Sequence, residues 1–478
     1  MKNDTWFAAA QHELIRARRS RTLRVALLLV SVLLGAGFLL EAQRQAADAH
    51  QQQALQEQVS EQFKSQPDRH PHRMAHYGSF AFRPPGPLAF FDPGLTPFTG
   101  NVLYLEAHKR NFPSFSAAAA SGELARFGRT TAAFVLQLLL PLLIFMSAFD
   151  SIAGEREAGT WQLALSHGAR VGDLFFGKVL GQVALALLWV LPAILLAALA
   201  RALFGGWAGS ADTWLRSGLL LLGYAGYLAL CAVIGVLVSS LYRSSQKALV
   251  TLLCVWIVAW VVVPRTATEL AVRAHPMPAR SQIESDISRA VHGVDNGHGA
   301  SSPAAKALTA RTLAQYGVPR IEDLPVNING LRAQAGEERT SHLYDRYYAS
   351  LYELQRAQVA YTLRFGALSP LLLLRSLSMA LSGSDAEHYA DFLERAEAHR
   401  LGFITRLNDV HAKHLQYEKA DNGQRASHEH WADYRHFDYS EPTLARSGVL
   451  LPLSAAGLLA ICLVLAALAR LVARKELM

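Results

Sequence analysis

The chain has 478 residues, 51% of them hydrophobic, and its apolar residues fall in runs longer than a soluble core requires, which places it in the membrane class. A formal charge of +8 does not make it a nucleic-acid binder, because the basic residues are dispersed and gather beside apolar runs, where orientation signals lie. Cys231, Cys254 and Cys462 all sit inside apolar runs, so the polar segments must fold on packing alone, without disulfides.

In chain order, Trp6, Phe7, Ala10, Leu14 and Ile15 recur at three- and four-residue spacing against Gln11, Arg18 and Arg19. This spacing predicts an interfacial helix over residues 1–22, on the cytoplasmic leaflet. Runs long enough to cross a bilayer follow at Leu23–Leu40, Thr131–Phe149, Leu174–Ala200, Trp214–Leu241, Ala248–Val263 and Val449–Leu471. The first passes straight into Glu41-Ala42-Gln43-Arg44 with no small-residue cleavage site, so it reads as a retained span (residues 23–40). Arg16, Arg18, Arg19, Arg21 and Arg24 precede it, which sets the N-terminus inside. Six crossings then put Arg156, Arg170 and Lys178, Arg243 and Lys247, and Arg470, Arg474 and Lys475 on that same side, and both termini in the cytoplasm.

That count leaves residues 41–130 and 265–447 outside, flanking spans two to five within 131–264, with the last span and tail in 448–478. Gln43–Lys64, with Leu55, Val59 and Phe63 at fourfold spacing, continues the first span as a helix that ends near Pro67. The Pro-rich stretch from Pro71 to Pro113 favours turns and extended pieces. In the second segment two long amphipathic helices are expected, after a loop at Asn327–Gly330. One carries Tyr344, Tyr347, Tyr348, Leu351, Leu354 and Val359; the other carries Tyr389, Phe392, Leu393, Ala396, Phe403, Ile404, Leu407 and Val410. Between them, Leu368–Arg375 is apolar but short, and is interrupted by Pro370 and Arg375. It reads as a buried or interfacial piece, since a seventh span would put the basic C-terminus outside.

After the second span comes Phe149-Asp150-Ser151-Ile152-Ala153-Gly154-Glu155-Arg156-Glu157-Ala158-Gly159-Thr160-Trp161, continuing to Gly177-Lys178. The residues alone read as a charged short helix (150–162) capped at Gly154 and broken at Gly159, suited to a partner's groove; a solvated loop would carry charges too. The stretch resembles the cytoplasmic coupling element of ABC-2 type permeases. That resemblance implies that Gly154, Glu155, Arg156, Glu157, Gly159 and Thr160 couple the chain to ABC ATPase subunits. A second likeness runs from Ser369-Pro370 through Ser376–Asp385, His388, Phe392, Glu397-Ala398-His399-Arg400 to Leu407-Asn408, and includes Asp92-Pro93-Gly94-Leu95 and Tyr104-Leu105-Glu106-Ala107-His108. It is similar to the extracytoplasmic insertion of permeases carrying domain of unknown function 3526, although His399 stands where an aromatic is expected.

The resemblance implies a mainly α fold: a six-helix transmembrane bundle of ABC-2 (type V exporter-like) type with an α-rich extracytoplasmic domain, set in a bacterial inner membrane. It also implies a second permease copy or sister permease as partner, with a periplasmic partner open. No Gly-x-x-x-x-Gly-Lys-Ser/Thr, His-Glu-x-x-His, Gly-x-Ser-x-Gly or Cys-x-x-Cys occurs. The chain is therefore expected to hold no cofactor and not to be an enzyme, ATP and Mg being bound by the separate ATPase. On this topology all histidines except His12 and His167 lie outside, among them His70, His72, His76, His428, His430 and His436. Such imidazoles are candidate metal ligands, but with no carboxylate or thiol at a regular ligand spacing they read as surface or packing residues, and no metal is expected. Export of an amphipathic or lipid-like cargo, mechanotransmission to a periplasmic partner, a metal- or siderophore-related system, and a non-transporting receptor or scaffold are the functional readings left standing.

Overall fold

Inside a bilayer every backbone N–H and C=O must be satisfied within its own segment, so long apolar runs become helices. The computed structural model describes residues 5–116, 118, 130–204, 210–292, 301–417, 423–446, 448 and 450–475. Six helices long and apolar enough to cross a membrane lie in Arg21–Lys64, Ala132–Glu157, Val171–Val190, Ala211–Leu241, Ser245–Ala274 and Leu450–Leu471. Each overlaps one expected span; residues 1–4, Arg129 and Val449, at the edges of expected segments, lie outside the described residues.

The N-terminal helix α1 (Thr5–Arg19) buries Ala9, Ala10, Glu13 and Ala17. Trp6, Phe7 and Ile15, from the expected membrane-facing stripe, stay exposed. The small residues dock it on the third span, where Gly177 and Gly181 leave room: a Cβ at Gly177 would stand 2.2 Å from the Trp6 carbonyl oxygen. Helix α2 (Arg21–Lys64) starts where Ser20 Oγ accepts from Leu23 N–H and continues unbroken for 44 residues. At 1.5 Å per residue that is about 66 Å, twice the bilayer's apolar core. Its far end, at Phe63, packs against Met74, Phe403, Leu407 and Trp431.

Spans two and five share an irregularity. Each carries a π-helical turn, Val135–Leu139 and Ile257–Val262, with a proline two residues beyond its end, Pro141 or Pro264. Proline supplies no N–H and crowds the preceding turn, and a widened turn absorbs the mismatch. The stretch Ala132–Glu157 ends in a short separate helix, α4 (Ala153–Glu157), and a second, α5 (Thr160–Ser166), follows. Gly154 lies inside α4 rather than capping it, because Ile152 and Ala153 N–H are already met by Ser239 Oγ, at 3.0 Å each.

The polar segments fold together. Helix α3 (Pro71–Tyr77) precedes a small antiparallel sheet, order β1-β2-β3, of Ser79–Phe82, Val102–Glu106 and Lys109–Arg110. The second segment contributes α6 (Arg280–His292), α7 (Pro303–Tyr316), α8 (Ile328–Leu363), α9 (Pro370–Ser382) and α10 (Ala386–His414). Helices α8 and α10 are the two amphipathic helices expected, and Tyr344, Tyr348, Phe392, Leu393 and Ala396 share a core with the sheet. The loop expected at Asn327–Gly330 is instead the cap and first turn of α8: Asn327 Oδ1 accepts from Asn329 N–H at 2.9 Å, and Gly330 lets Ala412 approach. Helix α9, the expected Leu368–Arg375 piece, is 13 residues long, about 20 Å and too short to span. It sinks Leu371, Leu373, Leu374, Leu377 and Leu381 into the core shared by the membrane helices.

Span four pins this junction. Arg216, 1% exposed, bonds Asp212 at 2.6 Å and the carbonyls of Ala380, Leu381 and Pro442. Nearby, both carboxyl oxygens of Glu441 are buried without a hydrogen-bond partner among the described residues, and burial pushes its pKa up to about 7 against the opposing charges of His388, Arg83 and Arg216. A carboxyl whose folded pKa is raised contributes stability present below its ordinary value of 4.5 and lost as pH rises through about 7. Glu441→Gln is therefore expected to flatten the fall in thermal stability between about pH 5 and 8 and to melt above wild type at the upper end, as read by scanning fluorimetry.

Candidate functional site

The charged turn after the second span sits on a buried ionic cluster. Glu13 of α1, fully buried, accepts from Lys178 Nζ at 2.9 Å, Gln182 Nε2 at 2.6 Å and Arg16 Nη2 at 2.7 Å. Burial works to raise its pKa, but Lys178 and Arg16 hold it below the ordinary carboxylate range. Arg16 also reaches Asp150 and, at 2.5 Å, the Ser147 carbonyl at the end of span two. Lys178 passes its second bond to Glu155 Oε1 at 2.6 Å, with His12 Nδ1 at 3.7 Å. One network thus joins α1, span two, span three and α4.

The motif residues divide between this network and the surface. Arg156 donates to the Ser240 carbonyl at 2.5 Å and lies over the Trp161 ring. Glu157 accepts from Ser245 N–H and Oγ, at 3.1 and 2.6 Å, and so caps the start of the fifth span, where a carboxylate also favours the helix dipole. Gly159 adopts φ 75°, a left-handed conformation that turns the chain into α5. Thr160 Oγ1 closes that turn onto the Glu155 carbonyl at 3.2 Å. Glu155 and Arg156 are thereby turned towards the chain's own elements, while Thr160, Gln162, Leu163 and Ser166 are exposed, Leu163 by 57%. Glu13, Gln182 and Ser239 were not legible as members of this site; a carboxylate on a helix that also carries Arg16 was the one available hint.

At the opposite end of the same spans, a cavity of about 390 Å³ is lined by Asp92, Gln137, Trp260, Arg265, Leu371 and Arg375 among others. Both π turns border it. The carbonyls of Gln137 and Leu138 accept from Tyr227 OH at 2.6 Å and Trp256 Nε1 at 3.1 Å, so neighbouring spans satisfy what the irregular turns leave over. Asp92 accepts from Ser378 Oγ at 2.5 Å, and its burial raises its pKa. Arg265 and Arg375 are exposed.

The candidate metal ligands do not assemble as their spacing suggested. His72 and His76 meet His108 instead of His70, and the donor atoms of these three lie within 4.8 Å of one another. His70 caps α3 and packs on His411, His428 pairs with Asp68, His430 lies tilted against His414, and His436 is exposed.

Six helices long and apolar enough to cross a membrane, among the described residues of a mainly helical chain, define a multi-pass membrane protein. The chain belongs to the ABC-2 family: the family described as ABC-2 family transporter protein matches residues 7–332, and the protein is thus a permease of that class. Domain of unknown function 3526 matches residues 277–440, within the polar domain. None of the curated proteins matches the chain.

Removing one member of the buried cluster leaves its partners short of one counter-charge where water screens poorly; breaking comparable buried pairs costs about 3–5 kcal/mol. Glu13→Ala or Lys178→Ala should therefore lower the melting temperature of the purified chain sharply. The double replacement Glu13→Gln/Lys178→Met should be milder than either. Equal damage from all three would show that the residues contribute bulk and not paired charge.

Proposed function

We propose that the protein is the permease subunit of a bacterial ABC transporter of the inner membrane, with cytoplasmic termini and an extracytoplasmic polar domain. Separate ABC ATPase subunits, which bind ATP and Mg, dock on α4 and α5, and a second permease copy or sister permease completes the complex. The observation that carries this reading is the exposed two-helix turn fixed from beneath by the ionic cluster. A partner pressing on Thr160 and Leu163 moves α4, and with it span two through Asp150, span three through Lys178 and span five through Glu157. ATP-driven closure then shifts the population between two arrangements of the bundle.

The cavity bounded by the π turns is the cargo site in this reading. Its apolar walls and exposed Arg265 and Arg375 suit an amphipathic molecule with an anionic head, while few charges stand elsewhere within the spans. Export is the direction proposed.

Leu163 is exposed and belongs to no buried cluster among the described residues, so Leu163→Glu tests docking without the ambiguity of altering the internally bonded Glu155. The variant should keep its melting temperature but lose at least tenfold of transporter-dependent ATPase stimulation when reconstituted with its ATPase. Full stimulation would remove α5 from the interface.

One observation favours a second reading, mechanotransmission without passage of cargo. The unbroken α2 joins the membrane to the core around Phe63, as a lever would. Replacing exposed Gln51 and Gln53 by glycines should interrupt it. Transport of cargo would survive that change, whereas action on a periplasmic partner would be lost with ATPase coupling intact.

A further inference from the structure

We infer that His72, His76 and His108 form a binding site for a late first-row divalent metal ion, Zn(II) or Cu(II), on the polar domain. The site is independent of the transport reading. His72 and His76 are one turn apart on α3, so both imidazoles leave the same helix face. His108 comes from the two-residue connection between β2 and β3. The ring centroids are 4.7 Å apart for His72 and His76, and 5.4 Å for His108 with each of them.

The scaffold holds this geometry without relying on the imidazoles. Ala107 N–H donates to the Ala75 carbonyl at 3.2 Å, joining the turn to α3 by main chain. Tyr104 OH reaches the carbonyls of His76 and Tyr77 at 3.1 and 2.8 Å, fixing the end of that helix on the sheet. Tetrahedral Zn–N bonds of about 2.0–2.1 Å put ligand nitrogens about 3.4 Å apart, so donors already within 4.8 Å need only small side-chain rotations.

What stands behind His108 is the second argument. Its backbone is left-handed, with φ 62°, a conformation that glycine adopts more cheaply. Glu337, fully buried, meets both its main chain and its ring, accepting from His108 N–H at 2.8 Å and lying 3.0 Å from Nδ1. Arg400 holds that carboxylate at 2.5 Å and is itself held by Glu397. A carboxylate on Nδ1 fixes the tautomer that offers Nε2, the carboxylate–histidine arrangement that supports metal ligands. Glu337 is thus a positioning residue and not a ligand.

The donor set decides the class of ion. Imidazole alone suits zinc and copper, whereas magnesium and calcium require oxygen ligands. Three histidines leave one coordination position, and the exposed edge at His76 opens it to water or to a ligand from outside.

The test uses the full chain, purified without a polyhistidine tag and reconstituted in nanodiscs. It is titrated with Zn(II) by calorimetry and with Cu(II) under electron paramagnetic resonance. One equivalent per chain is expected, with nitrogen hyperfine structure from three imidazoles. His76→Ala and His108→Gln should weaken binding at least tenfold. Glu337→Gln should weaken it while leaving the nitrogen count at three, which a merely structural loss would not do. His428→Ala and His430→Ala should change nothing. Because His76 is exposed, its replacement should leave the metal-free melting temperature unaltered and abolish only the rise on adding Zn(II). Absence of a stoichiometric site, affinity indifferent to His76→Ala, or loss on changing His428 or His430 would each overturn the proposal.

Discussion

Charges removed from water must be paired where they lie, and at the end of the bundle that carries α1 this requirement organises everything around it. Glu13, Lys178, Arg16, Asp150 and Glu155 form one connected set, and no member can move far without leaving another unpaired in a poorly screened environment. The set accounts for three separate features. Helix α1 is held against span three, where the two glycines permit backbone approach; α4 presents its first carboxylate inward; and Ser147 and Gln182 close the remaining bonds, at 2.6 Å between them. Replacing such a cluster with apolar side chains is often neutral or favourable in energy, so its use points to fixed geometry more than to stability.

The polar domain solves the same problem in the same way. Arg400, 1% exposed, sits between Glu337 and Glu397 and also donates to the Glu106 carbonyl at 2.9 Å, which ties α8, α10 and the sheet together. Arg216 makes the corresponding link from span four to α9 and to Pro442. Together with the uninterrupted α2, these contacts leave the domain little freedom to swing on a flexible tether.

Much of this was legible in the sequence, and the parts that were not share a cause. Spans, α8 and α10 are periodic or long enough to declare themselves, because burial selects apolar residues at fixed spacing. The helix boundaries at Asn327 and Ala153 were misplaced because a side chain, of Asn327 or of Ser239, satisfies the first N–H groups, and such caps depend on tertiary contacts or single residues that periodicity does not register. Spacing grouped His70 with its neighbours in sequence. The fold instead selects His108, 32 residues beyond His76, because a main-chain bond from Ala107 docks its turn on α3. The motif at Gly154–Thr160 was visible as a pattern, but its division into inward Glu155 and outward Thr160 depends on the bond from Lys178 to Glu155, which spacing does not register.

The two ends of span two differ in the kind of bond that restrains them, and that difference bears on how motion is distributed. At Asp150 the restraint is ionic, a partly exposed pair with Arg16 that continues into the buried Glu13–Lys178 pair. At Gln137 and Leu138 it consists of neutral hydrogen bonds from Tyr227 and Trp256, each contributing about 0.5–1.5 kcal/mol net and each replaceable by water from an adjoining cavity. In the proposed docking, a displacement of α4 is taken up where neutral bonds exchange most cheaply. That place is the pair of π turns in spans two and five, whose irregular backbone already borders the cavity. A bundle with uniform α-helical bonding would have no such preferred site of yielding, and the prolines at 141 and 264 are what create it.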